Sequence, residues 1–206
     1  MFLSRYTNNH TVNFLKFMAG LRKAATSVSD PERKLLADLA RGRQCIVEVG
    51  VFEGATSQIF CKEMSPSGRL YLVDPYFPEV RLERLLNRSF NRWIATKTVE
   101  AWRQQVQFVR ETSEAAASKL PLKGRADMIF IDARHDYESV LHDFRCWAPI
   151  LAPQAPMAFH DSHPCPERPD LGENDGPVRL MREIRRGEHG HWEIVTQADT
   201  VTVIRQ

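Results

Sequence analysis

The sequence lacks the cysteine spacings of a disulfide framework, a zinc site or a redox motif. None of its four cysteines belongs to a C-x-x-C pair, and they lie far apart, at Cys45, Cys61, Cys146 and Cys165. Isolated cysteines, most of them within strongly patterned segments, are typical of reduced, mostly buried thiols. We therefore expect a cytoplasmic protein.

Long apolar runs and blocks of like charge are absent as well. No apolar run approaches the ~18 to 20 residues that span a bilayer, and polar residues interrupt the N-terminal stretch MFLSRYTNNHTVNF. The formal net charge is only +2, with basic and acidic residues interleaved along the chain. These features argue against a signal peptide, a membrane partner and a nucleic-acid partner.

The 206 residues contain no internal repeat, low-complexity tract or linker, and 43% hydrophobic residues are enough for one sizeable core. From residue 44, short apolar runs alternate with helix-like segments, and the chain ends in two β-rich runs joined by QAD. This alternation predicts an α/β fold, with an open, doubly wound, mostly parallel seven-stranded sheet and a C-terminal antiparallel hairpin. The other apolar runs are QCIVEV, RLYLVD, VQFVR, ADMIFID and APMAFHD.

Helical patterns precede and interrupt the predicted sheet. Residues 11–41 have the pattern of two helices, the second opened by the capping-box sequence SDPE. We therefore expect a single domain over 1–206, in which an N-terminal helical cap (1–43) packs on a core formed by 44–206. Residues 79–105 predict one long or two shorter inserted helices, and the loop 162–176, rich in proline, glycine and charge, is expected to act as a lid.

A glycine turn follows the first predicted strand, in the sequence VEVGVFEGATS. Gly50 and Gly54 can supply the turn, while the N-terminus of the next helix offers free N–H groups to an anionic part of a ligand. Asp74 ends the second strand, 24 residues after Gly50, where a carboxylate can accept hydrogen bonds from both hydroxyls of a ribose. The pattern indicates a nucleoside-bearing cofactor, and a purely structural turn is the alternative for the glycines alone.

The motifs of a dinucleotide-binding dehydrogenase are missing. Val51 and Phe52 stand where the G-x-G-x-x-G fingerprint has its middle glycine. Tyr137 is followed four places on by Leu141, so there is no Tyr-x-x-x-Lys pair.

The stretch from Glu48 to Gly54 instead resembles the first motif of class I S-adenosylmethionine (SAM)-dependent methyltransferases, an acidic residue, a variable one and Gly-x-x-x-Gly. Downstream, IFIDARHDYESVLHDFRCWAPILAP followed by MAFHD resembles the branch of small metal-dependent O-methyltransferases that includes macrolide-sugar methyltransferases and proteins once labelled cephalosporin hydroxylases. The resemblance covers about residues 44–206 and implies a Rossmann-like fold. The residues assigned to SAM binding are Glu48, Gly50, Gly54, Thr56, Asp74 and Ser113; for Ser113, a helix cap formed with Thr112 is the alternative.

Polar side chains end the fourth and fifth predicted strands. Asp132 follows one strand, and His160 and Asp161 follow the next. Because the carboxyl ends of parallel strands meet at one edge of the sheet, these side chains can hold a divalent cation. Carboxylates favour Mg2+, and an imidazole ligand moves the preference toward Mn2+ or Fe2+. His160 can also act indirectly, by holding Asp161 through a hydrogen bond.

His135 lies three positions after Asp132, just beyond the strand end. An imidazole there can take the proton of a substrate hydroxyl near neutral pH, and the resemblance assigns the same role to this position. A simple surface histidine is the alternative. Asp136 is expected to cap the following helix, and if it paired with His135 it would raise the pKa of the imidazole and hinder its action as a base.

Taken together, these features predict a SAM-dependent O-methyltransferase, assisted by a divalent cation, Mg2+ first and Mn2+ or Fe2+ next. The substrate is expected to be a small hydroxylated molecule such as a sugar, a glycoside or another natural product. Two alternatives stay open, a metal-independent methyltransferase that uses His135 or His160 as the base, and a non-catalytic Rossmann-like binding subunit. Phe14 and Phe17, which look exposed in the first helix, suggest a possible homodimer.

Overall fold

The computed structural model describes residues 10–206, in which helices and strands alternate as the sequence predicts. The strands are β1 (Cys45–Val49), β2 (Arg69–Val73), β3 (Val106–Val109), β4 (Met128–Ile131), β5 (Met157–Phe159), β6 (Glu193–Ala198) and β7 (Val201–Arg205). The α-helices are α1 (His10–Met18), α2 (Asp30–Ala40), α3 (Ala55–Glu63), α4 (Arg81–Leu86), α5 (Phe90–Thr98), α6 (Ser113–Lys119), α7 (Tyr137–Trp147) and α8 (Gly176–Arg185). Short 3-10 helices cover Glu100–Trp102 and Ala148–Ile150. No helix in this described part of the chain is long and apolar enough to cross a membrane.

The seven strands form one sheet in the order β3-β2-β1-β4-β5-β7-β6. Each adjacent pair in the run β3-β2-β1-β4-β5 is parallel. In contrast, β7 pairs antiparallel with both β5 and β6. The predicted fold class, a Rossmann-like and mostly parallel sheet with a C-terminal antiparallel hairpin, is therefore confirmed. The chain order reverses between β1 and β4, and ligands of open α/β sheets bind in the crevice at such a switch point.

Alternate residues of the central strands pack into two hydrophobic clusters, one on each face of the sheet. Val47 and Val49 of β1 belong to the cluster that contains Trp147 of α7, while Ile46 belongs to the one that contains Phe60 of α3. Every residue of β4 is buried, as is usual for a central parallel strand covered on both faces.

The N-terminal helices pack against the sheet and the inserted helices. The expected capping box is present, because the Ser29 hydroxyl accepts from the Glu32 N–H and the Glu32 carboxylate accepts from the Ser29 N–H. Leu36 of α2 is fully buried in the cluster around Phe60. Phe14 of α1 stacks on the Phe90 ring with the ring centres 4.4 Å apart, so this aromatic is not the exposed side chain that the sequence suggested.

Two segments refine the sequence predictions. The insertion at 79–105 forms two short helices, α4 and α5, followed by a 3-10 turn. Before β5 the turn is made by Gln154, whose φ of 62° is left-handed, and the Ala155 N–H donates to the Ala152 carbonyl.

Gly50 lies where the ends of β1 and β4 approach most closely. Its φ is +84°, and a Cβ atom added there would lie 2.0 Å from the carbonyl oxygen of Asp132 and 2.8 Å from the Cα of Ala133. Since both opposing atoms belong to the backbone, no side-chain rotation can make room. Gly50 is thus required by the packing of the sheet itself, whatever ligand the turn binds.

We predict that Gly50→Ala destabilises the protein by about 2 to 5 kcal/mol, the sum of a left-handed backbone and a steric overlap. The control is Gly42→Ala, which has a φ of +71° but no described atom within 4 Å of the added Cβ, and should lose only about 1 to 2 kcal/mol. Urea unfolding of both variants measures the difference. Equal losses would contradict the steric explanation.

Candidate functional site

A cleft of about 720 Å³ opens at the carboxyl ends of β1, β2 and β4. Of the predicted site residues, Gly50, Asp74, Ser113 and Asp132 line it. The cleft therefore joins the glycine turn and the end of β2 to the end of β4. His160 and Asp161, which follow β5, are buried next to Asp132.

Asp74 holds the glycine turn through backbone hydrogen bonds. Its Oδ2 accepts from the N–H of Val51 at 3.0 Å and of Phe52 at 3.4 Å, and its Oδ1 accepts from the N–H of Tyr76 at 2.7 Å. A carboxylate oxygen can accept more than one hydrogen bond. Asp74 can therefore shape the loop and still receive ribose hydroxyls from the cleft.

Glu53 attaches the segment after α1 to the glycine turn. Its carboxylate receives both Nη atoms of Arg22, at 2.6 and 2.7 Å, together with the Ala25 N–H at 2.6 Å. The carboxylate is almost fully buried. This two-pronged pair fixes the N-terminal segment against the back of the turn.

Glu48, Gly54 and Thr56 are not among the residues that line the cleft. Glu48 is buried below the turn and accepts a hydrogen bond from the Ser57 hydroxyl at 2.5 Å. Burial raises the pKa of Glu48 well above its ordinary value of 4.5, and the charges of Asp132 and Asp74 act in the same direction. Glu48 therefore lies beneath the turn, Gly54 has a left-handed φ of 76° at the N-cap of α3, and Thr56 is buried in α3.

Ser113 begins α6 at the other end of the cleft. Its hydroxyl accepts from the indole N–H of Trp147 at 3.3 Å, and the buried Asp143 lies beside it. Burial raises the pKa of Asp143, opposed by its hydrogen bond with Ser113. Thr112 occupies the N-cap position of α6 without a side-chain capping bond, and Ser113 lines the cleft while its hydroxyl is bonded to Trp147.

Asp132 and two histidines form a compact cluster at the end of β4. One ligand atom from each of Asp132, His135 and His160 lies within 4.8 Å of the other two. His160 Nδ1 is 3.2 Å from Asp132 Oδ1, and His135 Nε2 is 3.7 Å from the same oxygen. Both of these nitrogens are buried without a hydrogen-bond partner among residues 10–206.

His135 is directed toward Asp132 and Asp161, not toward Asp136. Its Nε2 lies 3.4 Å from Asp161 Oδ2, and the contact with Asp132 raises the pKa of the imidazole despite its burial. Asp136 caps α7 as expected, accepting from the Ser139 N–H at 3.0 Å. The carboxylates at the strand ends, and not the helix cap, therefore set the protonation of His135.

Asp161 forms an ion pair that the sequence analysis did not foresee. Its Oδ1 lies 2.6 Å from Arg168 Nη1, within the loop 162–176. Its φ of 50° is left-handed, and its N–H donates to the Thr200 hydroxyl at 3.3 Å. No local pattern could have indicated Arg168, because the pairing depends on how the loop folds back over the strand end.

Glu32 is the other site residue that the sequence analysis missed, since it was assigned only to the helix cap. It lies 3.5 Å from His160 on the side away from Asp132. Burial alone would raise the pKa of Glu32, but hydrogen bonds with His160, Thr200 and Ser29 outweigh it and lower the pKa to about 2. The same contacts with Asp132 and Glu32 raise the pKa of His160 well above its ordinary value despite burial.

The strand order and the cleft at the switch point define a Rossmann-like enzyme fold. Residues 47–162 match the family described as a methyltransferase domain, and the chain belongs to that family. The prediction of a methyltransferase is thereby confirmed. No match was found among curated proteins.

Solved structures with the same fold include one cofactor-bound protein and two O-methyltransferases. Cofactor-bound Rv0187 from MTB is 17% identical with a TM-score of 0.68, over 94% of this chain and 88% of that one. The O-methyltransferase TomG from Streptomyces achromogenes, in complex with SAM, is 18% identical with a TM-score of 0.64, over 96% and 89%. An O-methyltransferase from Bacillus cereus in complex with SAH is 16% identical with a TM-score of 0.62, over 100% and 96%. At these identities the similarity shows the fold.

We predict that Glu48→Gln changes how stability depends on pH. The folded protein keeps the Glu48 proton at pH values where the unfolded chain, whose glutamate has a pKa of 4.5, has lost it. The stability that Glu48 contributes to the wild type is therefore fully present below pH 4.5 and is lost as the pH rises through the raised pKa of the folded state. The variant, which cannot ionise, should gain stability relative to wild type over that range. Urea unfolding at a series of pH values measures this, with Glu193→Gln at an exposed position of β6 as the control for charge loss. Parallel curves for Glu48→Gln and wild type would contradict the prediction.

Proposed function

We propose that the protein is a SAM-dependent O-methyltransferase, assisted by a divalent cation, that methylates a hydroxyl group of a small metabolite such as a sugar, a glycoside or another natural product. The observation that carries the proposal is the continuous cleft from Gly50 and Asp74 to Asp132. A cofactor held at one end can thereby face an acceptor held at the other. The resemblance of residues 126–161 to the macrolide-sugar methyltransferase branch supports the choice of acceptor class.

The charge of the cleft suits the cofactor. Asp74, Glu79 and Asp132 line it together with Arg134 and His142, and a predominance of carboxylates favours the positively charged sulfonium of SAM. The TomG structure contains SAM, and the Bacillus cereus structure contains SAH. In this assignment Asp74 receives the ribose and Ser113 lies at the adenine end, while Glu48, Gly54 and Thr56 support the turn.

The cluster at the end of β4 fits a divalent cation, because His160 Nδ1 is buried without a hydrogen-bond partner in the described chain and is directed at Asp132. Asp132 and His160 would hold the ion, with Asp161 as a further ligand. Two imidazoles nearby move the preference from Mg2+ toward Mn2+ or Fe2+. A bound cation would supply Lewis acidity that lowers the pKa of the acceptor hydroxyl.

His135 is assigned the acceptor proton. Its Nε2 is buried without a hydrogen-bond partner in the part of the chain that the structure describes, and it lies within 4 Å of both Asp132 and Asp161. SAM, when bound, would supply an electrophilic methyl group to the acceptor oxygen, and His135 Nε2 would take the proton that this oxygen releases. Asp132 and Asp161 raise the pKa of His135, and a cation bound to these carboxylates would offset their charge, so that the imidazole is neutral before it takes the proton.

A metal-independent methyltransferase is the second candidate, favoured by one specific observation. Arg168 already places a guanidinium 2.6 Å from Asp161, which supplies a positive charge where the first candidate has a cation. In that case Arg168 would neutralise Asp161, and His135 or His160 would serve as the base without a metal.

We also propose that the chain acts as a single domain, with 1–43 as the helical cap and 44–206 as the core. A homodimer remains a prediction, now supported by other side chains than Phe14. Leu15, Leu21, Phe77 and Leu85 are more than half exposed, and exposed apolar surface of this kind is typical of contact sites.

Calorimetric titration with SAH, with and without EDTA, tests the proposed function. SAH should bind the wild type, and Asp74→Asn should weaken binding by about 10- to 100-fold through loss of a charged hydrogen-bond acceptor. Asp127→Asn is the matched control, since Asp127 also accepts backbone N–H groups, at the opposite end of β1. Absence of SAH binding would reject the cofactor assignment. Methyl transfer that is insensitive to EDTA would favour the metal-independent candidate.

His135→Asn should lower kcat by about 10²- to 10⁴-fold while cation affinity stays within a few-fold of wild type, because a base moves the proton without binding the ion. Turnover assays and Mn2+ titrations on the same preparation measure the two quantities. His191→Asn, at an exposed loop position, is the control. A parallel fall in Mn2+ affinity would make His135 a metal ligand and remove it as the base.

A further inference from the structure

Glu32 makes more hydrogen bonds than its helix cap requires. The side chain is 1% exposed. Its Oε2 accepts from the Ser29 N–H at 2.7 Å, which completes the capping box. Its Oε1 accepts from both the N–H and the hydroxyl of Thr200, at 2.8 and 2.6 Å. The second pair of bonds joins the cap helix to the hairpin of β6 and β7 and has no role in capping.

The same carboxylate contacts His160, whose ring lies between two acidic groups. Glu32 Oε2 is 3.5 Å from His160 Nε2, and on the opposite side His160 Nδ1 is 3.2 Å from Asp132 Oδ1. His160 is only 2% exposed. Glu32 therefore contacts one ring nitrogen of His160, and the other ring nitrogen faces Asp132 at the carboxyl end of β4.

Each ring nitrogen of His160 faces a carboxylate oxygen, Nε2 that of Glu32 and Nδ1 that of Asp132. A carboxylate can only accept, so Nε2 keeps its N–H toward Glu32, whereas a cation bound at Asp132 would take the lone pair of Nδ1 and displace the proton from that nitrogen. Histidines that bind metals usually donate the other ring N–H to a carboxylate or a carbonyl group, which fixes the ring and its tautomer.

The hairpin contact extends the same support to Asp161. The Thr200 hydroxyl that donates to Glu32 also accepts from the Asp161 N–H at 3.3 Å. Asp161 has a left-handed backbone, a conformation that persists only where the surroundings hold it. Glu32 thus contacts His160 directly and Asp161 through Thr200.

We propose that Glu32 is a positioning residue of the active site, which orients His160 and keeps its proton on Nε2 so that Nδ1 faces the cation and the acceptor beside Asp132. The proposal rests on the proposed function, because it assigns Nδ1 a ligand. If Glu32 has this role, the N-terminal helical cap takes part in catalysis. Glu32 lies 128 positions before His160, the histidine that it contacts.

Glu32→Gln is the decisive variant because it keeps the size of the side chain. Two donors of Thr200 face Oε1, so the amide oxygen should remain there. The amide NH2 should take the Oε2 position, where it loses the bond from the Ser29 N–H and faces His160. The ring nitrogen that donated must then accept, and the proton moves to Nδ1. Mn2+ affinity should fall by about 10- to 100-fold, as for other outer-sphere carboxylates, while SAH affinity and the circular dichroism spectrum stay unchanged.

Ser29→Ala is the matched control for a purely structural role. It removes the hydroxyl that accepts from the Glu32 N–H and donates to Asp199, yet it leaves the Glu32 carboxylate on His160. It should weaken the helix cap by about 1 kcal/mol without altering Mn2+ affinity. Equal effects of the two variants on Mn2+ binding would overturn the proposal.

Proton–nitrogen correlation NMR of the histidine rings measures which ring nitrogen carries a proton. A change in the stability of the helix cap does not alter this measurement. Wild type and Ser29→Ala should show a slowly exchanging Nε2–H signal of His160, and Glu32→Gln should lose it. Retention of that signal in Glu32→Gln, with unchanged Mn2+ affinity, would reject the positioning role. If wild type binds no Mn2+, the metal-dependent function fails, and the Nε2–H signal by itself still decides whether Glu32 orients His160.

Discussion

The backbone contact between the ends of β1 and β4 is the constraint on which the rest of the site depends. Only a glycine at position 50 allows the turn after β1 to pass the Asp132 carbonyl, because any Cβ there would overlap backbone atoms. This passage brings the glycine turn and Asp132 into one cleft. The packing of the sheet therefore requires the same glycine that the proposed cofactor turn uses.

Alternating charge organises the interior next to that contact. From the cap inward, Glu32, His160, Asp132 and His135 follow one another with separations of 3.5, 3.2 and 3.7 Å, and Arg168 ends the series at Asp161. Buried charges are tolerated when each has a partner of opposite sign or a hydrogen bond. A network of this kind favours a fixed geometry over maximal stability.

Local patterns predicted the parts of the molecule that neighbours in sequence decide. The Ser29–Glu32 capping box and the Asp136 cap each involve residues three positions apart, and both are present. The apolar runs predicted β1 to β5, and the two β-rich runs at the end of the chain predicted β6 and β7. Burial on both faces leaves an unbroken hydrophobic stretch in a central strand such as β4, whereas β6 is partly exposed. The stacking of Phe14 on Phe90 and the left-handed Gln154 were not predictable in this way, because each depends on a partner or a chain path remote from the pattern.

The sequence by itself determined the class of fold, the glycine turn and the polar residues at the ends of β4 and β5, because strand periodicity and chain order place those residues at one edge of a parallel sheet. Only the tertiary structure decided what surrounds them. Glu32 lies behind His160, Arg168 lies on Asp161, and Glu48 lies beneath the turn instead of in the cleft. The physical reason is that a polar side chain takes the partner its final surroundings offer, and those surroundings come from segments up to 168 residues apart in the chain.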